Sequence, residues 1–225
     1  ISGELPDHAP EQPLARAFGV SQPQSFTSLL TQIRKAKVDS RVGAVLLDIN
    51  FPGIGWGKAD ELRDAIADLR TSGKPVYAYM EIGTNMEYYI ATSAEKIFLP
   101  PSGDIFINGL AAEAMFYKGS LDKLGVEVDA IQIGPKYKSA PDRYTKKEMS
   151  DGQREVTNAL LDEFFGRFTK AIAESRKKTP EDVKALIDTA PFNAVQAKAN
   201  GLIDEAFYRD QIDAELKARL GYKEG

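Results

Sequence analysis

The chain has 225 residues, 43% of them hydrophobic and 28% charged, with a net charge of −4 at pH 7. That length suits one substantial core, and the mild acidity argues against nucleic acid as a partner, because phosphate binding needs a concentrated basic surface. Cysteine is absent and the single histidine, His8, sits in a proline-rich first segment. Disulfides, thiolate metal sites and cysteine nucleophiles are therefore excluded, and neither a Ser-His-Asp triad nor a histidine metal site is expected.

Residues 1–24 hold four of the twelve prolines and no helical or strand period, which predicts a short strand followed by an extended arm. From Ser25, Phe26, Leu29, Leu30, Ile33 and Ala36 share one helical face. Arg41 to Ile49 is nearly continuous in apolar residues and predicts a strand buried on both faces, as in a parallel sheet covered by helices. The glycine-rich turn Gly53-Ile54-Gly55-Trp56-Gly57 then leads into an amphipathic helix with Leu62, Ala65, Ile66 and Leu69 inward, stopped at Ser72-Gly73-Lys74-Pro75. A strand at Val76 to Met80, a helix over Met86 to Ala91, a strand at Lys96 to Leu99, a helix over Ala114 to Leu124 and a strand at Val126 to Ile133 continue the alternation.

Beyond residue 141 the pattern becomes helical. Ser150 with Gln153 forms a candidate capping box, and Val156, Leu160, Phe164, Phe168 and Ile172 recur at helical spacing. Thr179-Pro180 opens another helix, Asn193 to Asn200 a third that stops at Gly201, and Ile212, Leu216 and Leu220 mark a last one. The expected organisation is an arm over 1–24, an α/β core over 25–149 and a helical C-terminal part of the same domain over 150–225. No apolar run approaches the ~20 residues needed to cross a bilayer. The chain starts at Ile1 rather than at methionine, so it is expected to be a piece of a longer protein with a membrane anchor upstream.

Two stretches invite chemistry. The first is the glycine turn. It is not a phosphate-binding P-loop, since only three residues separate Gly53 from Gly57-Lys58 and Ala59 stands where a hydroxyl would hold magnesium; the dinucleotide spacing fails by one residue. Gly53 and Gly55 either leave backbone N–H groups free beside a helix N-terminus, as an oxyanion or substrate loop does, or serve a tight turn that needs positive φ. The second is the loop Gly134-Pro135-Lys136-Tyr137-Lys138-Ser139-Ala140-Pro141, at the end of an alternating apolar segment. Lys138 is either a solvated loop charge or a general base, and the latter requires its surroundings to lower a reference pKa of about 10.4 by several units.

The order of glycine turn, Glu87-Tyr88-Tyr89-Ile90-Ala91 helix, Tyr137-Lys138-Ser139-Ala140 loop and Ala199-Asn200-Gly201-Leu202-Ile203-Asp204 ending resembles the signal peptide peptidase A family. Similarity runs from about Phe26 to Leu220 and is closest to the N-terminal half of the long tandem form. The resemblance implies a Clp-protease/crotonase-like α/β fold, a mostly parallel sheet of repeated ββα and βαβ units covered by helices with a helical C-terminal extension. It implies Lys138 as general base of a Ser/Lys dyad. Where a nucleophile-bearing half has Ser-Gly-Gly before its paired aromatics, this chain has Asn85-Met86-Glu87, so the nucleophile is expected from a second half or subunit.

By the same resemblance the parent is a membrane-associated serine peptidase, extracytoplasmic (periplasmic in a bacterium), that degrades hydrophobic peptides such as cleaved signal peptides. It works as a homo-oligomer without cofactor or metal, and this chain alone is inactive. A non-catalytic scaffold of the same assembly and an acyl-CoA enzyme of crotonase type are the competing readings.

Overall fold

The computed structural model describes residues 1–8, 24–131 and 138–222. In chain order the elements are β1 (Ser2–Glu4), α1 (Phe26–Val38), β2 (Val45–Asp48), β3 (Asn50–Gly53), α2 (Trp56–Arg70), β4 (Val76–Tyr79), β5 (Ile82–Thr84), α3 (Asn85–Ala91), β6 (Lys96–Leu99) and β7 (Asp104–Phe106). They continue with α4 (Lys118–Lys123), α5 (Asp142–Thr145), α6 (Asp151–Arg176), α7 (Pro180–Thr189), β8 (Phe192–Asn193), α8 (Ala194–Ala199), β9 (Glu205–Ala206) and α9 (Arg209–Arg219). Contacts divide the chain into two compact units, residues 1–108 with 169–225, and residues 109–168.

The first unit holds the sheets. Its main sheet is parallel throughout, in the order β2-β4-β6-β9; β5, β7 and β8 form a second, with β5–β7 parallel and β7–β8 antiparallel; β1 pairs parallel with β3. The mostly parallel α/β architecture is the one the sequence predicts. Strand β4 is covered on both faces, with Val76, Tyr77, Ala78 and Tyr79 all buried. The apolar run 41–49 instead supplies β2 at the sheet edge, where Val45 and Leu46 are half-buried and Asp48 is exposed. An edge strand has only one laterally paired neighbour, so a continuous apolar run does not guarantee two covered faces.

Phe98 of β6 lies in a cluster with Tyr77, Tyr79, Ile212 and Leu216, its ring 5.4 Å from that of Tyr77 and 5.9 Å from that of Phe207. Helix α9 thereby closes one face of the main sheet with the predicted residues Ile212 and Leu216. On α1 and α2 the buried positions Phe26, Leu29, Leu30, Ile33 and Ala59, Leu62, Ile66, Leu69 follow the helical period. Lys74 Nζ donates to the carbonyls of Ala36 and Asp39, both at 2.7 Å, and so caps the C-terminal end of α1 with a cation. Both Thr179 with Asp182 and Asn193 with Gln196 form reciprocal capping boxes at the starts of α7 and α8.

The 109–168 unit departs from expectation. The helix predicted over 114–124 forms only as α4, and residues 126–131 of the predicted strand are not in a strand; 132–133 lie outside the described residues. Val126, Val128 and Ile131 are 46%, 37% and 99% exposed, so their alternation faces no sheet. Alternating polarity makes a strand only where a ladder is offered, and among the described residues of this unit there is none. Similarly, the apolar face predicted along α6 is fully buried at Phe168 and Ile172 but exposed at Val156 and Leu160.

Candidate functional site

Strand β3 ends on Gly53, and Gly55 caps α2 with φ −83° and ψ 169°. Neither glycine has positive φ, so the turn does not use them for that purpose. Gly53 is instead a point of close approach: a Cβ there would lie 3.2 Å from Gly3 O and 3.3 Å from Glu4 Cα, on the backbone of β1. A Cβ on Gly55 would meet nothing within 4 Å. The left-handed residue is Phe51, at φ 48°, in β3 itself. Its cause is a shift of register, in which Ser2 pairs with Asn50 but Gly3 with Pro52, so that Phe51 is the extra residue of a bulge and is 55% exposed.

Strand β5 ends on Thr84 and α3 begins at Asn85, which places Asn85 at a strand-to-helix junction. Helix α3 packs against α2, β3 and β5, so Gly53, Gly55 and Asn85 belong to one neighbourhood of the first unit. A network missed by sequence reasoning holds α3 there. The Arg63 guanidinium donates to Tyr89 O and Thr92 Oγ1 and lies 4.2 Å from the Tyr89 ring centroid. Burial pulls the Arg63 pKa below its ordinary value. The Tyr89 hydroxyl donates to Asp60 Oδ1, and the Trp56 ring meets the Tyr89 ring edge-on at 5.2 Å. On the next position, the Tyr88 hydroxyl is fully buried and donates to Leu202 O at 2.6 Å; burial pushes its pKa up. Both residues of the Tyr-Tyr pair are thus buried in the core.

The side chain after Met86 is also unusual. Glu87 is 2% exposed and accepts from the Thr84 hydroxyl, within the first turn of α3 where a carboxylate complements the helix dipole.

Lys138 lies in the other unit, exposed and at φ 67°. Its motif neighbour Tyr137 and Lys136 lie outside the described residues. Downstream, the loop enters α5 through Asp142 N–H, which donates to Ser139 O at 3.0 Å. Helix α5 is in turn held by Tyr117 N–H on Arg143 O at 2.7 Å and by the stacked rings of Tyr117 and Tyr144, 5.8 Å apart. Asp142 itself is 1% exposed, a second residue the sequence reasoning missed: it follows the lysine motif, but a carboxylate in a polar loop carries no sequence signal of burial.

Among the described residues no group of three or more His, Asp and Glu side chains is arranged to hold a metal, and no helix is long and apolar enough to cross a membrane. The residues singled out in the sequence fall on both units, Lys138 on one and Gly53, Gly55 and Asn85 on the other.

Residues 68–223 match the sequence model of peptidase family S49. The chain is 34% identical over 203 residues to the chloroplastic serine protease SPPA of Arabidopsis thaliana, covering 90% of this chain and 29% of that protein. It is 32% identical over 218 residues to Protease 4 of Salmonella typhi, covering 91% of this chain and 35% of that protein. This chain thus spans about a third of the length of these relatives. Among solved structures, a mutant of the membrane-bound stomatin-specific protease 1510-N superposes with a TM-score of 0.50 at 13% identity, over 95% of this chain and 80% of that one. An enoyl-CoA hydratase/isomerase family member does so with a TM-score of 0.50 at 15% identity, over 88% and 66%. Those two likenesses speak for the Clp-protease/crotonase-like fold alone. The sequence match over residues 68–223 decides the rest, and the chain belongs to peptidase family S49, the signal peptide peptidase A family.

Proposed function

We propose that this chain is the lysine-bearing half of a serine peptidase that degrades hydrophobic peptides such as cleaved signal peptides. Lys138 is the general base, and a second half or subunit supplies the serine. The observation that carries this reading is the family match across a segment that holds Lys138 in its motif and Asn85 at the strand-to-helix junction. A carboxamide cannot form the acyl-enzyme that a serine hydroxyl forms. In the proposed step the amine of Lys138 takes the serine proton as Oγ attacks the scissile carbonyl, then returns it to the leaving amine. Backbone N–H groups near Gly53 and Gly55 are candidates for an oxyanion or substrate loop, supported by their place at the start of α2.

Association is part of the proposal, because the dyad needs two contributors. It is supported by the apolar side chains the 109–168 unit leaves exposed, with Met115 at 64%, Leu124 at 76% and Leu160 at 54%. Membrane association on an extracytoplasmic face belongs to the same reading, as does a homo-oligomer. The test is Lys138→Ala in the full-length parent: peptidase activity is expected to be lost with assembly intact. The isolated 225-residue chain is expected not to turn over casein or a peptide ester. Retained activity in the variant refutes the base, and turnover by the isolated chain refutes the split site.

A further inference from the structure

Asp142 carries a buried carboxylate that the proposed chemistry does not use. Its side chain is 2% exposed, yet the cation that meets it, Lys146, is 44% exposed and reaches Oδ2 at 3.2 Å. The same Oδ2 accepts from the hydroxyl of Ser150, the residue that caps α6. Among the described residues nothing donates to the other oxygen, Oδ1, and Oε1 of Gln153 is likewise buried without a donor. The predicted capping box at Ser150 is accordingly half made: Gln153 N–H donates to Ser150 Oγ at 3.3 Å, while the Gln153 carbonyl oxygen does not return the bond.

A carboxylate is taken out of water at considerable cost unless its surroundings use it, and two incompletely satisfied acceptors around one serine make the arrangement more costly still. What the arrangement accomplishes is a tie. Through its N–H, Asp142 holds Ser139 O at 3.0 Å, one residue beyond Lys138. Through its side chain it holds the start of the 26-residue helix α6. Lys138, just ahead of this anchor, sits at φ 67°, a region that non-glycine residues occupy uncommonly.

We infer that Asp142 is a positioning residue: its carboxylate, bound to Ser150, fixes the end of the Lys138 loop on α6 and so sets where the lysine amine stands. This rests on Lys138 being the general base. A base displaced by a fraction of its reach loses turnover far more than affinity, because misplacement by about 1 Å costs on the order of a hundredfold in rate.

The experiment uses the full-length assembled protease with a fluorogenic leucyl peptide as substrate, reading kcat and KM separately for Asp142→Ala, Asp142→Asn, Ser150→Ala and Lys138→Ala. For Asp142→Ala, kcat is expected to fall about ten- to hundredfold with KM within about twofold. Asp142→Asn keeps an oxygen that accepts from Ser150 and is expected to recover kcat to within about threefold of the parent. Ser150→Ala is expected to lower kcat in the same direction, and to add nothing in the Asp142→Ala background, since both changes cut one tie. Assembled Asp142→Ala with parental kcat overturns the inference, as does an Asn variant no better than Ala or a loss confined to KM. If Asp142→Ala does not assemble, parental kcat in both Asp142→Asn and Ser150→Ala overturns it. Lys138→Ala keeps the two readings apart: activity in that variant refutes the base, whereas an inactive Lys138→Ala beside a fully active Asp142→Ala refutes the positioning alone.

Discussion

Replacing Arg63 by alanine tests the scaffold that presents α3. The guanidinium makes two hydrogen bonds, to Tyr89 O and Thr92 Oγ1, and a ring contact at 4.2 Å. Hydrogen bonds from a charged donor are worth about 1.5–3 kcal/mol each and a cation over an aromatic face about 0.5–2. Against this stands the desolvation of the guanidinium, several kcal/mol, which is also what lowers the Arg63 pKa. The lost acceptors are not both orphaned, because the Thr92 hydroxyl itself donates to Tyr89 O at 2.7 Å. The net cost of Arg63→Ala is therefore about 2–3 kcal/mol. For a chain of this size 1 kcal/mol moves Tm by about 2–4 °C, so thermal unfolding followed by far-ultraviolet circular dichroism should show a fall of about 4–12 °C. Arg63→Lys is expected to recover less than half, since an ammonium lacks the planar guanidinium that lies over the Tyr89 ring while its Nη1 donates to both acceptors. A shift under about 1 °C for the alanine variant refutes the reasoning.

Loss of peptidase activity in Lys138→Ala and a selective loss of kcat in Asp142→Ala are read in the assembled protein, as described above. Gly53→Ala drives a methyl to 3.2 Å from Gly3 O and 3.3 Å from Glu4 Cα, so it should cost about 1–3 kcal/mol in denaturant unfolding, whereas Gly55→Ala, with open space around it, should cost less than about 1. Equal effects at the two glycines would contradict the close-approach explanation. At the start of α7, hydrogen bonds from the Thr179 hydroxyl and N–H hold the Asp182 pKa below its ordinary value. A carboxylate depressed on folding contributes stability that is fully present above its unfolded pKa, about 3.9, and is lost as pH falls through the lower folded value. Asp182→Asn should therefore weaken the chain near neutrality and flatten its pH dependence below about pH 4; an unchanged acid limb would show that this cap does not titrate with folding.

Much of the first unit was legible because local pattern and final environment agree there. Lys96 to Leu99 is a strand, Phe26 to Ile33 a buried helical face, and Thr179-Pro180 a helix start, each set by a period of two or 3.6 or by capping chemistry. The apolar run at 41–49 misled about burial, since whether a strand is central or at an edge depends on which strands pair with it. The alternation at Val126 to Ile131 misled further, because the described residues of its own unit offer it no ladder.

The candidate site divides along the same line. Sequence alone determined that cysteine chemistry was excluded, that Asn85 cannot serve as an acylated serine, and that Lys138 lies in the motif that carries the family resemblance, because residue types and their order are properties of the chain. Only the tertiary structure decided that Gly53 answers to the backbone of β1 rather than to a turn, that Arg63 and Tyr89 brace α3, and that Asp142 is buried against Ser150. Those facts join residues up to about fifty positions apart, and burial and close approach arise only when distant segments are packed together.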